Sequence, residues 1–235
     1  MQTKPLHGMF TAVPRRYDLI NHVITWYLDR RWRRKAAEAC LASRPDRILD
    51  LCCGTGDLAI ELTHLAKSHV EVFGIDYSEP MLRIANRKAA TLGVGSDIAF
   101  IYGDVASLPF TNGFFDCVGI SFAFRNITYK NPLTAGYLAE ILRVLSPGGK
   151  FVIVETSQPE SKLIRMLFHL YLRIFVYNVG YWLSGNKGAY HYLAESARRF
   201  YRPQETRDLL LSAGFREFSC QKLLFGVAAI YIAVK

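Results

Sequence analysis

The chain is short of acid, of pairable cysteine and of any long uninterrupted apolar run, and each shortage removes a class of protein. Only 20 Asp and Glu stand against 29 Lys and Arg, a formal charge of +9. Such a balance either aids solubility or calls for an anionic partner: nucleic acid, an anionic membrane surface or an acidic substrate. The five cysteines are odd in number and two are adjacent, which is no disulfide framework and suits the cytosol. Cys52-Cys53 lacks C-x-x-C spacing and any nearby His, so no metal is expected there. The first ten residues hold Lys4 and His7 but no apolar core of signal-peptide length, so secretion is not indicated. The greasiest run, residues 160–183, is interrupted by Arg165, His169 and Arg173, and central arginines make a membrane span costly. No repeat, low-complexity segment or linker divides the 235 residues, so residues 1–235 are expected to form one domain.

What the chain does have is a glycine-punctuated turn, Arg47 to Asp57, reading R-I-L-D-L-C-C-G-T-G-D. Ile48 and Leu49 are strand formers, Asp50 closes the apolar run, and Gly54 and Gly56 bracket Thr55 where a strand turns into a helix from Leu58 onward. Glycines accept φ > 0 and let a ligand approach the backbone, while the amides of the following helix face it. Gly54 to Ala59 satisfies G-x-G-x-x-A, and Asp76 stands where a ribose-binding acid would, so a dinucleotide fits the loop. Asp50 argues otherwise. A carboxylate just before the loop sits badly with a pyrophosphate but receives the cationic amino-acid end of S-adenosylmethionine, directly or through water. An acid, a glycine loop and a second acid after the next strand make the class I S-adenosylmethionine-dependent methyltransferase pattern.

Around this loop the periodicity predicts alternating elements. Residues 9–45 carry Tyr17, Ile20, Ile24, Tyr27 and Leu28 near helical spacing, followed by Arg30-Arg31-Trp32-Arg33-Arg34-Lys35. That basic run is either a solvated helix face or, with Trp26, Tyr27 and Trp32, an amphipathic segment attracted to anionic lipids or to nucleic-acid phosphate. Strands are expected at about 47–52, 70–75, 98–102, 114–121 and 150–155. Helices are expected at 58–68, 80–92 and 134–145, the last stopped by Ser146-Pro147-Gly148-Gly149. A further helix runs from Pro203 to near Gly214, and residues 217–234 read as two strands with Gly226 between them. The fold class is therefore α/β: a doubly wound, mostly parallel sheet with a terminal antiparallel hairpin.

Ligands of such sheets lie at the carboxyl ends of the strands. There Asp76 is placed to accept from both ribose hydroxyls. Asp104, after the third strand, is placed to accept from the adenine amino group while a neighbouring backbone N–H meets a ring nitrogen. Ser121 faces the same edge. The segment Phe122–Thr128 is where acceptor chemistry is expected: Arg125 and Asn126 offer donors to an oxygen-bearing ring, unless Arg125 is a structural partner for a carboxylate. The Asn/Asp-Pro-Pro-aromatic motif of nucleic-acid amino-methyltransferases is absent, so no nucleic-acid partner is expected. Residues 160–200 read as a helical cap that either packs as ordinary core or roofs a wide apolar chamber for a lipophilic substrate.

Several segments together resemble the UbiE/MenG family, the C-methyltransferases of menaquinone and ubiquinone biosynthesis, over nearly the whole chain. They are Tyr17-Asp18-Leu19-Ile20-Asn21 with Arg30-Arg31-Trp32-Arg33, Gly54-Thr55-Gly56-Asp57-Leu58, and Ser121-Phe122-Ala123-Phe124-Arg125-Asn126. Arg143-Val144-Leu145-Ser146-Pro147-Gly148-Gly149 and Tyr190-His191-Tyr192-Leu193-Ala194-Glu195-Ser196 complete the set. The resemblance implies S-adenosylmethionine as cofactor, with contacts at Thr55, Asp76, Asp104, Val105 and Ser121. It further implies methyl transfer to a ring carbon of a reduced, polyprenylated quinone. On that reading Arg125 and Asn126 hold the reacting oxygen, Asp57 acts as base or orients a donor, and Tyr192 and His191 are further candidates. The expected setting is cytoplasmic, with peripheral contact at the inner face of the membrane; the oligomeric state stays open, a homodimer included. An RNA or soluble acceptor and a non-catalytic scaffold are the alternatives. The chain departs from the family pattern at Ala123 (Gly), at Thr156 and Gln158 within Glu-Phe-Ser-Lys-Pro, and at His191 (Arg), and its last strand lacks His-x-Gly. These departures touch the substrate side rather than the cofactor loop.

Overall fold

The strand that feeds the glycine loop is the centre of the sheet. In the computed structural model, which describes residues 17–184 and 187–235, β1 (Arg47–Leu51) lies between β2 (Glu71–Asp76) and β4 (Phe115–Ser121), parallel to both. β3 (Ile98–Tyr102) extends one side and β5 (Leu145–Thr156) the other, again in parallel. β6 (Glu217–Leu223) and β7 (Ala228–Val234) close the sheet as an antiparallel hairpin, giving the order β3-β2-β1-β4-β5-β7-β6. Helices cover both faces, so both side-chain sets of the central strands are apolar. Leu49, Val118 and Phe151 enter one core; Ile48, Cys117 and Val152 enter the other.

The helix expected over 9–45 is two helices, α1 (Tyr17–Ile24) and α2 (Leu28–Leu41); residues 9–16 lie outside those described. The chain breaks because Trp26 and Tyr27 are both left-handed, at φ 54° and 59°. α3 (Asp57–Leu65), α4 (Glu79–Thr91) and α6 (Thr134–Val144) follow the expected alternation, and a short helix, α5 (Phe124–Thr128), occupies the segment where acceptor chemistry is expected. Ser146-Pro147-Gly148-Gly149 does stop α6, but no separate loop follows. β5 begins at once, and the extra residues form an irregularity between the Phe115–Leu145 and Cys117–Lys150 pairings.

The cap consists of α7 (Lys162–Tyr171), one turn of π-helix (Leu172–Val176), α8 (Tyr177–Ser184) and α9 (Lys187–Arg198). α10 (Pro203–Ser212) leads into the hairpin. α8 crosses α9 so closely at Gly180 that a Cβ there would run into the buried Tyr190 ring. Gly180→Ala is therefore expected to cost about 1–3 kcal/mol by overpacking. Thermal denaturation would read this as about 2–4 °C of Tm per kcal/mol. An unchanged Tm would mean that the two helices part without loss.

Candidate active site

Three left-handed residues, Cys52, Gly54 and Gly56, turn the chain from β1 into α3. A Cβ on Gly56 would come within 2.9 Å of the Phe100 ring, so glycine lets the loop lie against β3; a Cβ on Gly54 would meet nothing within 4 Å, leaving the loop open on its ligand side. The Gly54 amide donates to Asp76 Oδ2 at 2.9 Å and the Ser78 amide to Asp76 Oδ1 at 2.8 Å. A carboxylate has acceptor capacity left after two such bonds. Burial pushes the Asp76 carboxyl up, and the Ser78 and Gly54 amides oppose it. Ser78 Oγ is buried beside it with no partner among the described residues. The Gly103 amide bonds to Asp76 O at 3.0 Å, which brings Asp104 and the buried Val105 to the same edge.

Asp50 decides between the two cofactors that fit the loop sequence. Its Oδ2 accepts from the Ala59 amide in the first turn of α3 at 2.9 Å, taking an amide that a pyrophosphate would need. Its Oδ1 is buried with no partner among the described residues. Burial pushes this carboxyl up to about 8, with the Ala59 amide and Arg33 pulling the other way. An orphaned buried carboxylate oxygen under the loop, with acids at the ends of β2 and β3, fits S-adenosylmethionine, which brings a cationic amino group, two ribose hydroxyls and an adenine.

A chain of ion pairs clamps α1 and α2 onto the loop. The Thr55 hydroxyl donates to Asp18 Oδ1 at 2.6 Å, and Lys88 Nζ reaches Asp18 Oδ2 and Asp57 Oδ1, each at 2.6 Å. Arg33 pairs with Asp29 at 2.5 Å and Asp57 at 3.3 Å, and donates from Nε to Ser121 Oγ at 3.1 Å. For Asp57, burial acts to raise the carboxyl pKa, but Arg33 and Lys88 outweigh it and hold the group below the usual range. A carboxylate so held is a poor proton acceptor, which favours the second of its two expected roles, orienting a donor. The basic run is likewise divided: Arg30, Arg31, Arg34 and Lys35 are exposed, whereas Trp32 and Arg33 are buried. Trp32 is thus core and not an interfacial aromatic. Sequence reasoning missed Asp18, Asp29, Arg33 and Lys88 as site-builders; the i, i+4 pairing of Asp29 with Arg33 was the available signal.

Beside Ser121 opens an apolar chamber of about 470 Å³, walled by Ile24, Trp32, Phe168, Leu172, Val176 and Tyr190. Its polar end holds Arg125, Asn126, Thr156 and Tyr192. Arg125 Nη1 donates to Glu155 Oε1 at 2.9 Å and Thr156 Oγ1 at 2.7 Å, and the Arg125 amide donates to Glu155 Oε2 at 3.0 Å. The arginine is therefore both a structural ion pair and a chamber residue. Its Nε and Asn126 Oδ1 are buried without a partner among the described residues. Burial raises the Tyr192 phenol, with Arg125 opposing it, which favours its protonated form.

His191 does not join this group. It is exposed, in a separate cleft with His169 and Arg198, and does not line the chamber. Of the departures from the family pattern, Thr156 touches Arg125 directly. Gln158 sits behind it, donating to Ala197 O at 2.7 Å and meeting His169 Nε2 at 2.8 Å. Ala123 packs half-buried against the core. Among the described residues no group of His, Cys, Asp and Glu could hold a metal ion.

A profile of the ubiE/COQ5 methyltransferase family matches residues 1–235. The chain belongs to this family. As a ubiE/COQ5 family member it is a methyltransferase dependent on S-adenosylmethionine, in agreement with the donor set at the loop. It is similar to the demethylmenaquinone methyltransferase of Thermus thermophilus, with 40% identity over 95% of this chain and 98% of that protein. It is also similar to the ubiquinone/menaquinone biosynthesis C-methyltransferase UbiE of Geobacter sulfurreducens, with 35% identity over 98% of this chain and 88% of that protein. A solved SAM-dependent methyltransferase from Aquifex aeolicus shares the fold, with a TM-score of 0.56 at 18% identity and 80% of each chain covered.

Proposed function

We propose that this ubiE/COQ5 family member methylates a ring carbon of a reduced, polyprenylated demethylmenaquinone in respiratory quinone biosynthesis. The observation that carries the reading is the chamber itself, apolar along most of its walls with Arg125, Asn126, Thr156 and Tyr192 grouped in its lining. Bound at the glycine loop, S-adenosylmethionine supplies a methyl group made electrophilic by its sulfonium. A hydroquinone carbon is a weak nucleophile until an adjacent hydroxyl loses its proton. Arg125, held by Glu155 and Thr156, offers a guanidinium N–H to the phenolate oxygen, and the Asn126 amide meets the other hydroxyl. Tyr192 donates at the same end. The hydroxyl proton passes to water, because Asp57 is bound by Arg33 and Lys88 and both Glu155 oxygens are engaged. As the ring carbon takes the methyl, the sulfur–methyl bond would break and leave a neutral thioether, and the ring proton would pass to water, restoring the aromatic ring. The apolar walls receive the first units of the tail and keep bulk water from the ring.

The menaquinone series is favoured because the relatives from Thermus thermophilus and Deinococcus radiodurans, both 40% identical, carry that name. An acceptor with a polyprenyl tail resides in a membrane, so peripheral membrane contact belongs to the same reading.

The test is transfer of isotope-labelled methyl from S-adenosylmethionine to two chemically reduced acceptors, a short-tailed demethylmenaquinol and the matching ubiquinol precursor. Product from the first alone, or in large excess, is expected. A reversed ratio would move the acceptor to the ubiquinone series. Bound cofactor with no product from either would leave a soluble acceptor or a scaffold.

A further inference from the structure

α7 is apolar on two opposite faces. Phe168 and, in the following π turn, Leu172 and Val176 are buried against the chamber. On the other face Leu163, Met166, Leu170 and Ile174 form a stripe at spacings of three and four residues, each more than half exposed, with Leu167 at its edge toward the chamber. A helix with a second apolar stripe that none of the described residues covers offers a face to a partner.

The stripe is continuous with the chamber mouth. Leu167, Trp26, Leu224 and Phe225 line the chamber and are exposed, Trp26 at 69% and Phe225 at 78%. The two tips that carry them share a peculiarity. Trp26-Tyr27 and Leu224-Phe225 are each a pair of consecutive left-handed residues, none of them glycine. Such residues cost about 1–3 kcal/mol each and persist where the surroundings enforce them. At Trp26 the enforcement is visible: its ring stacks on Phe175 at 5.8 Å and its Nε1 donates to the Tyr171 hydroxyl at 3.1 Å. The backbone is thus held in an unfavourable form that presents large apolar side chains to solvent on both sides of one opening. Cations border the patch: Lys162 and Arg173 flank the stripe, and Arg30 and Arg31 follow the Trp26 tip, all exposed.

We infer that this face inserts into the surface of an anionic phospholipid bilayer, so that the chamber opens directly into the lipid. The inference rests on the proposed quinol acceptor and adds where that acceptor enters. A second copy of the chain on the same face would close the mouth, whereas a bilayer both covers the apolar stripe and supplies the substrate. Apolar side chains enter the acyl boundary while the bordering cations meet anionic headgroups.

The experiment is co-sedimentation of the full chain with phosphatidylcholine vesicles and with phosphatidylcholine–phosphatidylglycerol vesicles. It compares the wild type with Leu163→Ser/Met166→Ser/Leu170→Ser, three residues that do not line the chamber. Leu92→Ser is the control: Leu92 is exposed at the end of α4, at the opposite edge of the sheet. The wild type and the control are expected to bind the anionic vesicles, and the triple variant to lose at least about tenfold in partition. S-adenosylmethionine affinity and turnover on the short-tailed quinol should be kept, and turnover on a long-tailed quinol embedded in vesicles lost. Partition is read without turnover, so it stands apart from the acceptor assignment. Wild-type protein that binds no vesicles, a triple variant that binds like wild type, or a dimer dissolved by the same substitutions would each overturn the inference.

Discussion

Arg125→Lys is expected to leave the protein folded and its cofactor affinity unchanged while lowering kcat by about 10²- to 10³-fold, the loss typical of one missing donor to a developing oxyanion. Lysine keeps the charge that neutralises Glu155 but cannot bond Glu155 and Thr156 while also offering a further N–H to the substrate. Alanine is the wrong probe. Glu155 is completely buried, and removing its partner would leave an uncompensated charge costing about 3–5 kcal/mol. Denaturant unfolding of both variants beside labelled-methyl turnover separates the two effects. A lysine variant with normal kcat would remove Arg125 from the chemistry and leave it as a structural ion pair.

Asp50→Asn should weaken S-adenosylmethionine binding by about 10- to 150-fold, the equivalent of about 1.5–3 kcal/mol for a hydrogen bond to a charged group. The variant should also change how binding and stability respond to pH. Burial raises the Asp50 carboxyl from 3.8 to about 8 in the folded protein. Without ligand, the native state therefore keeps a proton that the unfolded chain has already released, and this group's contribution to stability falls as pH rises between about 4 and 8. A cationic ligand reverses the preference by pairing with the ionised form, so wild-type affinity should climb with pH up to about 8. Asparagine carries no proton to exchange: its affinity should be flat across that window and its stability less dependent on pH. Calorimetric titration in buffers of different ionisation enthalpy would detect the proton released on binding by the wild type. Equal release by both proteins would place the coupled group elsewhere.

The sheet was legible because its signals are local. β3 occupies the predicted residues 98–102, and Asp76 and Ser121 end their strands as expected, since parallel strands buried on both faces read as short apolar runs closed by turn residues. The errors came where a local signal had two structural solutions. Pro147-Gly148-Gly149 ends a helix, but whether it opens a loop or a strand irregularity depends on the pairing of β4 with β5. The repeated apolar residues of 17–45 do specify helix, yet nothing in their spacing marks a left-handed break at Trp26-Tyr27.

At the site, acids and glycines near β1 were readable because they sit close to the loop in sequence. The clamp was not. Asp18, Arg33 and Lys88 converge on Thr55 and Asp57 across long stretches of chain, and a basic run gives no sign of which arginine turns inward. The same limit explains the opposite fates of His191 and Tyr192: neighbours on α9 project roughly 100° apart, so one reaches the chamber and the other solvent.

The single π turn at Leu172–Val176 bears on how such a pocket changes shape between proteins. A π turn holds one residue more than the α-helical path requires, and each residue of helix is about 100° of rotation. Removing one residue there would take out the bulge rather than 100° of phase: α8 would keep its facing, and the change would fall on the turn itself, whose Leu172 and Val176 wall the chamber. Insertion and deletion at this turn thus offer a coarse adjustment of pocket form, separate from the fine adjustment that substitutions such as Thr156 provide, and neither requires the sheet or the glycine loop to move.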